Sequence, residues 1–276
     1  MKIFKINMNG YALKKWMGYR LWLVSEADDT VFLKKCCGND ITKDSGSEPV
    51  ASSAFARVYR FEFSGKFYYY KKFFSRNAFE SFKNIVRGDR AARSLRGDLL
   101  LQKKGFNAPK CMMIGKKGGD VFMVTEAIGE GKDLIRYVGK EFSVGMGRNK
   151  ILEKRNLCKL LGEQIGRLHA EGIIHGDLRW GNVVIEKLSP SEIRVWFLDN
   201  ERTAGFRSIS EKKRLVNLVQ MNMIPFSTIT FTDRMRFYIA YLSQNPDLIP
   251  HKKGLALKVL KKTAIRFNRK SARKNT

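Results

Sequence analysis

Residues 150 to 199 constrain the fold of this chain more tightly than any other stretch. Leu157, Leu160, Leu161, Ile165 and Leu168 recur at helical spacing between Lys150 and Glu171, and Gly172 follows as a C-terminal stop. The spacing predicts a buried helix that runs straight into Ile173-Ile-His175-Gly176-Asp177-Leu-Arg-Trp-Gly-Asn182. Val183–Ile185 and Val195–Leu198 then flank Ser189-Pro-Ser191, which reads as a short hairpin ending at Asp199. Two acids and an amide are thereby placed at the ends of regular elements.

That placement suits phosphoryl transfer, which asks a protein for positioning, metal binding and charge neutralisation more than for covalent chemistry. Asp177 sits on a turn after the helix, where it can orient and deprotonate an attacking hydroxyl. Asn182, five residues on, and Asp199 at the end of the hairpin offer the hard oxygen atoms that Mg²⁺ prefers. Lys71, on the strand after an earlier Gly turn, can pair with nucleotide phosphates. Lys72 is its rival, because a one-residue slip in register changes the face of a strand; alternation with Tyr69 favours Lys71. The plain alternative for Asp177 and Asn182 is a capping Asp and a turn Asn, and the combination with His175 and Asp199 argues against it. His175 is read as a brace for the loop and His169 as an ordinary helix-end residue.

The pattern His175-Gly176-Asp177-x-x-x-x-Asn182 followed by Asp199-Asn200-Glu201 resembles the protein-kinase-like superfamily, where His-Arg-Asp-x-x-x-x-Asn and Asp-Phe-Gly do these jobs. Gly176 stands where protein kinases carry the arginine that pairs with a phosphorylated activation loop, so the resemblance implies an enzyme acting on a small molecule or sugar without that switch. A narrower resemblance is to the lipopolysaccharide core kinases, the heptose and Kdo kinase group. It rests on Tyr68-Tyr-Tyr-Lys71-Lys-Phe73, Gly105-Phe-Asn-Ala-Pro109, Thr125-Glu126 and Leu168-His-x-x-Gly-Ile-Ile-His-Gly-Asp177. Leu198-Asp-Asn-Glu-Arg-Thr203, Asn217-Leu-Val-x-Met221 and Asp233-Arg-x-Arg-Phe-Tyr-x-Ala-Tyr-Leu242 extend it, so that it covers roughly residues 55 to 245.

The resemblance implies an α+β, protein-kinase-like bilobal fold. A small β-rich N-lobe with one main helix would span 1–126, and a mostly helical C-lobe with a basic tail 127–276. It implies ATP and Mg²⁺ as cofactors and a nucleotide-binding hinge at Glu126 and Ala127. A sugar hydroxyl, of heptose or Kdo, would accept the phosphoryl group on a lipopolysaccharide core or lipid-linked sugar at the cytoplasmic face of the inner membrane. Two other readings stay open: a kinase of a protein or small-molecule acceptor, and a non-catalytic kinase-shaped module on membranes. The chain departs from the superfamily in two places. No G-x-G-x-x-G precedes Lys71, leaving Ala51-Ser-Ser-Ala-Phe55 to cover the phosphates. The helix after Lys71 offers no obvious glutamate, since Arg93-Ser-Leu-Arg-Gly-Asp98 fills the expected region; Glu80 and Asp98 are the acids nearest to that role.

Elsewhere the sequence is read more coarsely. Residues 1–40 hold short apolar stretches for a strand or two, and Asn39–Ala54 reads as a loop. Arg57–Phe63 and Lys66–Phe73 around Ser64-Gly65 form a hairpin signal, as do Lys110–Ile114 and Val121–Thr125 around Lys117-Gly-Gly119. Positions 77–104 read as helical turns broken near Gly88, and 208–270 as mainly helical. No apolar run approaches the ~18 residues that cross a bilayer, and no signal peptide is apparent. Cys36, Cys37, Cys111 and Cys158 show no metal-ligand spacing, which points to reduced thiols.

Charge bears on partners. Lys and Arg number 53 against 26 Asp and Glu, a net +27. Zinc-finger, ribonucleoprotein and basic-zipper signatures are missing, so no nucleic-acid partner is expected. From His251 to Thr276 there are ten Lys or Arg and no acid, with Leu255, Val259 and Leu260 at helical spacing. That composition suits a basic amphipathic helix on an anionic membrane surface, against the plainer reading of an uncommitted basic tail.

Overall fold

The computed structural model describes residues 10–38, 41, 46–50, 52, 54–74, 88–142, 147–189, 192–224 and 228–272, without the side chains of 270 and 271. The chain divides into two compact units, Met1–Leu99 with Ala108–Gly129, and Leu100–Asn107 with Glu130–Thr276.

The first unit is built on an antiparallel sheet. In chain order it contains strands β1 (Ala12–Trp16) and β2 (Tyr19–Leu23), helix α1 (Thr30–Cys37), and strands β3 (Ser47–Val50), β4 (Ala56–Phe63) and β5 (Lys66–Phe73). Most of helix α2 (Arg90–Lys103) and strands β6 (Cys111–Lys117) and β7 (Asp120–Glu126) complete it. The seven strands lie in the order β1-β2-β6-β7-β5-β4-β3. The aromatic alternation of β4 and β5 gives the expected hairpin; Ser64 (φ 50°) and Gly65 (φ 73°) both take positive φ, as a two-residue type I′ turn requires.

Residues of a helix pack on each face of this sheet. Phe32, Leu33 and Cys36 of α1 pack with Leu21, Leu23, Phe61, Tyr68, Tyr70, Phe122 and Val124 on one face. Ala91 and Leu95 of α2 pack with Phe73, Cys111, Ile114 and Met123 on the other. Two elements differ from the sequence reading. The stretch read as a loop between Asn39 and Ala54 contributes β3 as the sheet edge, paired Ser47↔Phe61 to Val50↔Val58. Its composition, Ser-Glu-Pro-Val, suits an edge strand that pairs on one side alone. Helix α1 begins with an Asp29 cap that accepts from the Phe32 amide at 2.8 Å. Helical turns read between 77 and 87, and Glu80 with them, lie outside the described residues.

The second unit is mostly helical. After the end of α2 it holds β8 (Lys132–Asp133), α3 (Leu134–Glu141), the long α4 (Arg148–Ala170), β9 (Ile173–Ile174), β10 (Val183–Lys187), β11 (Ile193–Phe197) and β12 (Ala204–Gly205). Helices α5 (Glu211–Met221), α6 (Phe231–Ser243) and α7 (Lys252–Ala272) close it. Leu157, Leu161, Ile165 and Leu168 of α4 are buried, as are Ala240, Tyr241 and Leu242 of α6. Thr230 and Asp233 start α6 with a reciprocal capping box, and the Asp233 carboxylate also meets buried Lys154 of α4 at 3.0 Å. All four cysteines are free thiols. Among the described residues no helix is long and apolar enough to cross a membrane.

Candidate active site

The loop between α4 and β10 is fixed from both ends. Gly172 leaves α4 with φ +74°, and β9 then pairs with β12, Ile174 opposite Ala204 and Ile173 opposite Gly205. A Cβ on Gly172 would fall 2.2 Å from the Phe206 carbonyl oxygen, so the stop signal read from sequence is also a point of close approach. The segment after Asp199 is thereby laid against the segment before Asp177.

His175 forms the centre of the loop and is fully buried. The Asp177 amide donates to its Nδ1 at 3.2 Å, so that nitrogen is an acceptor; Nε2 then carries the proton and donates to the Leu198 carbonyl at 3.0 Å. Burial holds the imidazole below the ordinary histidine range and neutral, against the opposite pull of the Leu198 carbonyl and of the Asp177 and Asp199 carboxylates. His175 thus spans from the residue before Asp199 to the backbone of Asp177, the brace expected from the sequence.

Asp177 is half-buried. Its backbone carbonyl accepts from Asn182 Nδ2 at 2.8 Å, which closes the turn and engages the nitrogen of that amide and not its oxygen. Its carboxylate is held on both oxygens: Gln220 Nε2 donates to Oδ1 at 3.3 Å and the Arg179 guanidinium lies 2.5 Å from Oδ2. Asn182 passes the connection on, since its carbonyl accepts from the Leu198 amide at 2.8 Å. Asp199 follows in a left-handed conformation (φ 56°, ψ 51°). Acids and amides are the side chains other than glycine that best tolerate this conformation, and here it turns the chain out of β11 into a 3-10 turn over Asn200–Arg202. Buried Asn200 locks that turn by donating to the Phe197 carbonyl at 2.8 Å.

The residues read from the sequence as nucleotide-binding, Lys71, Glu126 and Ala127, lie in the first unit. Lys71 pairs in register with Val58 and Met123 and shares its face of β5 with Phe73, its ammonium 5.3 Å from that ring. Lys72 points the other way and ion-pairs with Asp120 at 3.1 Å. Asp98 is buried on α2, where its charge acts on Tyr11 and Cys111. Glu126 ends β7 and Ala127 follows it, and both their amide N–H groups are used: Glu126 donates to the Lys110 carbonyl and Ala127 to the Phe67 carbonyl, each at 2.9 Å. Of Ala51–Phe55, residues 51 and 53 lie outside the described set; the Phe55 carbonyl accepts from Arg90 at 2.6 Å and from the Phe74 amide at 3.1 Å.

Gln220, Asn217 and Arg179 were not singled out from sequence as site residues. Arg214, Asn217 and Gln220 recur every three residues on α5 among buried Leu215, Leu218, Val219 and Met221. Polar side chains on a helix's buried stripe are the signal that could have found them. His169, read as an ordinary helix-end residue, is instead buried and bonded through both ring nitrogens, to Tyr241 Oη at 2.9 Å and Asn217 Oδ1 at 3.2 Å.

Residues 50–241 match the family described as "Lipopolysaccharide kinase (Kdo/WaaP) family". The chain belongs to that family. The fold agrees with the solved structure described as "WaaP in complex with acyl carrier protein": TM-score 0.62 at 18% identity, covering 89% of this chain and 98% of that one. Among curated proteins, the KEOPS complex subunit Bud32 of Pyrococcus abyssi is 27% identical over 157 residues, 54% of this chain and 64% of that protein. A probable bifunctional tRNA threonylcarbamoyladenosine biosynthesis protein of Methanothermobacter thermautotrophicus is 56% identical over 34 residues, 12% of this chain and 6% of that protein. The chain thus spans less than two thirds of the length of either curated relative. The kinase-like architecture expected from the sequence, a β-rich N-terminal part and a helical C-terminal part, is the one this lipopolysaccharide kinase family member has.

Proposed function

We propose that this chain transfers the γ-phosphoryl group of ATP to a sugar hydroxyl, of heptose or Kdo, in the inner core of lipopolysaccharide. The observation that carries the reading is the loop of the second unit. It gathers Asp177, Asn182 and the turn into Asp199 around neutral His175, in a member of a lipopolysaccharide kinase family. Asp177 orients the acceptor hydroxyl and takes its proton as the oxygen bonds to the γ-phosphorus and the bond to the β-phosphate oxygen breaks, leaving ADP. Lys71 offsets negative charge on the nucleotide phosphates. Glu126, at the end of β7, and Ala127 after it would contact the adenine ring.

The donor set suits Mg²⁺. Asn182 Oδ1 and the Asp199 carboxylate are hard oxygens, and two protein ligands agree with an ion that keeps waters and takes phosphate oxygens. No cluster of three His, Cys, Asp or Glu that could hold a metal occurs among the described residues, which disfavours a protein-only cage. When bound, Mg²⁺ would neutralise charge developing on the transferred phosphate. Control by activation-loop phosphorylation is disfavoured by packing: a Cβ on Gly176 would lie 2.2 Å from Arg202 Cβ, so no arginine fits where that switch needs one.

A cytoplasmic-face membrane position is supported by α7. Between 252 and 272 it carries eight Lys or Arg and no acid. Leu257, Leu260 and Ile265 are exposed among them. Such a surface attracts anionic headgroups while its apolar residues seat in the interface. Co-sedimentation with phosphatidylglycerol vesicles should weaken with salt and with Lys262→Glu/Arg266→Glu; vesicle binding that ignores both changes would count against this placement.

The function is tested by incubating the protein with Mg²⁺, γ-labelled ATP and dephosphorylated lipopolysaccharide core, beside a panel of proteins and small aminoglycoside-like acceptors. Label in the core sugar is the expected result. Label in another acceptor alone would move the assignment to a different kinase substrate, and failure to bind Mg²⁺-ATP by calorimetry would favour a non-catalytic module.

A further inference from the structure

We propose that Gln220, held by Asn217, is a positioning residue that aims the Asp177 carboxylate and keeps its Oδ2 as the oxygen that receives the proton. The proposal rests on the reading of Asp177 as the base, and the geometry behind it is independent of that reading.

The orientation of each amide follows from partners that can act in one sense alone. The Leu178 N–H can only donate, and it reaches Gln220 Oε1 at 3.0 Å; Gln220 Nε2 therefore faces Asp177 Oδ1. The His175 carbonyl can only accept, and Asn217 Nδ2 donates to it and to Gln220 Oε1; Asn217 Oδ1 therefore faces His169. His169 Nε2 must then carry the proton. Burial keeps that ring neutral, with a pKa of about 4, so its Nδ1 accepts from the Tyr241 hydroxyl. Arg214 in turn donates to Tyr241 Oη at 3.2 Å.

The result is a chain of donors running one way: Arg214 to Tyr241 to His169 to Asn217 to Gln220 to Asp177. A cation heads it and a carboxylate ends it, so each bond polarises the next in the same direction. All its members from Arg214 to Gln220 are buried. Gln220 grips the loop twice, at the backbone of Leu178 and at the carboxylate of Asp177, which fixes the side chain against its own main chain.

Carboxamides donate but do not pass protons along, so this chain orients Asp177 and does not discharge it. The two carboxylate oxygens consequently differ. Oδ1 is tied to an amide 6% exposed, whereas the Arg179 side chain on Oδ2 is 60% exposed and can move aside. The hydroxyl proton is accepted at Oδ2. Charged groups about Asp177 in this unit include Arg179 itself, Asp199 across the neutral His175, and Arg202, whose backbone and Cβ pack against the adjacent Gly176.

Two variants test this, assayed with Mg²⁺-ATP and dephosphorylated lipopolysaccharide core after a thermal melt. Gln220→Ala is expected to lower kcat about a hundredfold, the scale of a misaimed reacting group, with KM for ATP unchanged. Gln220→Glu keeps the shape but sets a carboxylate against Asp177. The acid limb of its kcat–pH profile is expected to move to higher pH, because a like charge raises the partner's pKa. A merely structural residue would lower folded protein without moving that limb. Parental kcat in folded Gln220→Ala, or an unmoved limb in Gln220→Glu, overturns the proposal; if Gln220→Ala does not fold, the limb alone decides. Asp177→Ala run alongside separates the two readings. Transfer retained in it removes the base and this proposal together, while transfer lost in it with both Gln220 variants parental removes this proposal alone.

Discussion

Gly176 lies against the backbone of Arg202: a Cβ built at 176 would stand 2.2 Å from Arg202 Cβ and 2.5 Å from its carbonyl oxygen. The loop carrying Asp177 and the turn leaving Asp199 are therefore packed to the limit that a glycine allows. Neither neighbour can yield without moving main chain. Gly176→Ala should destabilise the protein by about 1–3 kcal/mol or more through overpacking. It should also reduce phosphoryl transfer beyond the loss of folded protein, measured by thermal melt and by kcat at a temperature where the variant is folded. A variant with parental melting and turnover would show that the two segments are not coupled in this way.

Buried histidines give the protein an acid-sensitive fold. His169, at about 4, and His175 both sit below the ordinary histidine value of 6.5 because burial disfavours their charged forms. The unfolded chain thus binds more protons below pH 6.5, so stability is complete above that value and falls as pH drops toward 4. Each histidine contributes a slope of up to about 1.4 kcal/mol per pH unit. Denaturant melts between pH 7 and 5, above the carboxylate range, should show the decline. His169→Gln, which can still donate to Asn217 and accept from Tyr241, should make it shallower.

Asp199 combines a special backbone with a charge, and the two can be separated. Asparagine tolerates the left-handed conformation at φ 56° about as well as aspartate, so Asp199→Asn should melt like the parent. Removing the carboxylate should nevertheless weaken Mg²⁺-dependent ATP binding at least about tenfold, or 1.4 kcal/mol. Calorimetry with and without Mg²⁺ reads this directly. Undiminished Mg²⁺ dependence in Asp199→Asn would remove Asp199 from the proposed metal site.

The adjacent lysines of β5 should behave differently. Lys72 makes an exposed ion pair with Asp120, a type of contact worth about 0–1 kcal/mol, and Lys72→Ala should leave nucleotide affinity unchanged. Lys71→Ala should weaken ATP binding with little change in melting. Equal effects from the two substitutions would mean that neither lysine is specific to the nucleotide.

A structural ion pair supplies a control distant in chemistry from the site. Lys154 and Asp233 are both buried, and the burial cost of the carboxylate is outweighed by Thr230 and Lys154, which hold its pKa below the ordinary value. Asp233→Ala leaves Lys154 without that charge and should cost about 3–5 kcal/mol. Lys154→Met in the same chain should recover much of the loss, as seen in urea melts.

How much of this was legible in the sequence varied with the range of the interactions involved. The hairpin at Ser64-Gly65, the helix ending at Gly172 and the Asp177–Asn182 spacing are local patterns, and local patterns survive in sequence. Strand β3 did not show itself, because Ser47–Val50 is a strand only by pairing with β4 at the sheet edge. His169 read as a helix-end residue because its partners, Asn217 and Tyr241, are 48 and 72 residues away. Gly176 was noticed as a missing arginine, whereas its physical reason, the approach of Arg202, is a tertiary contact. Gln220 looked like any polar helix residue until α5 was seen to bury it against the loop.

The central claim is that Asp177 is the base of a phosphoryl transfer to a lipopolysaccharide core sugar. The most direct measurement is transfer of label from γ-labelled ATP to dephosphorylated core by the parent protein and by Asp177→Ala, with folding of the variant confirmed by melting. The account predicts labelled core sugar with the parent and a fall of about 10²–10⁴-fold or more with the variant, ATP binding being retained. Parental turnover in folded Asp177→Ala would contradict it.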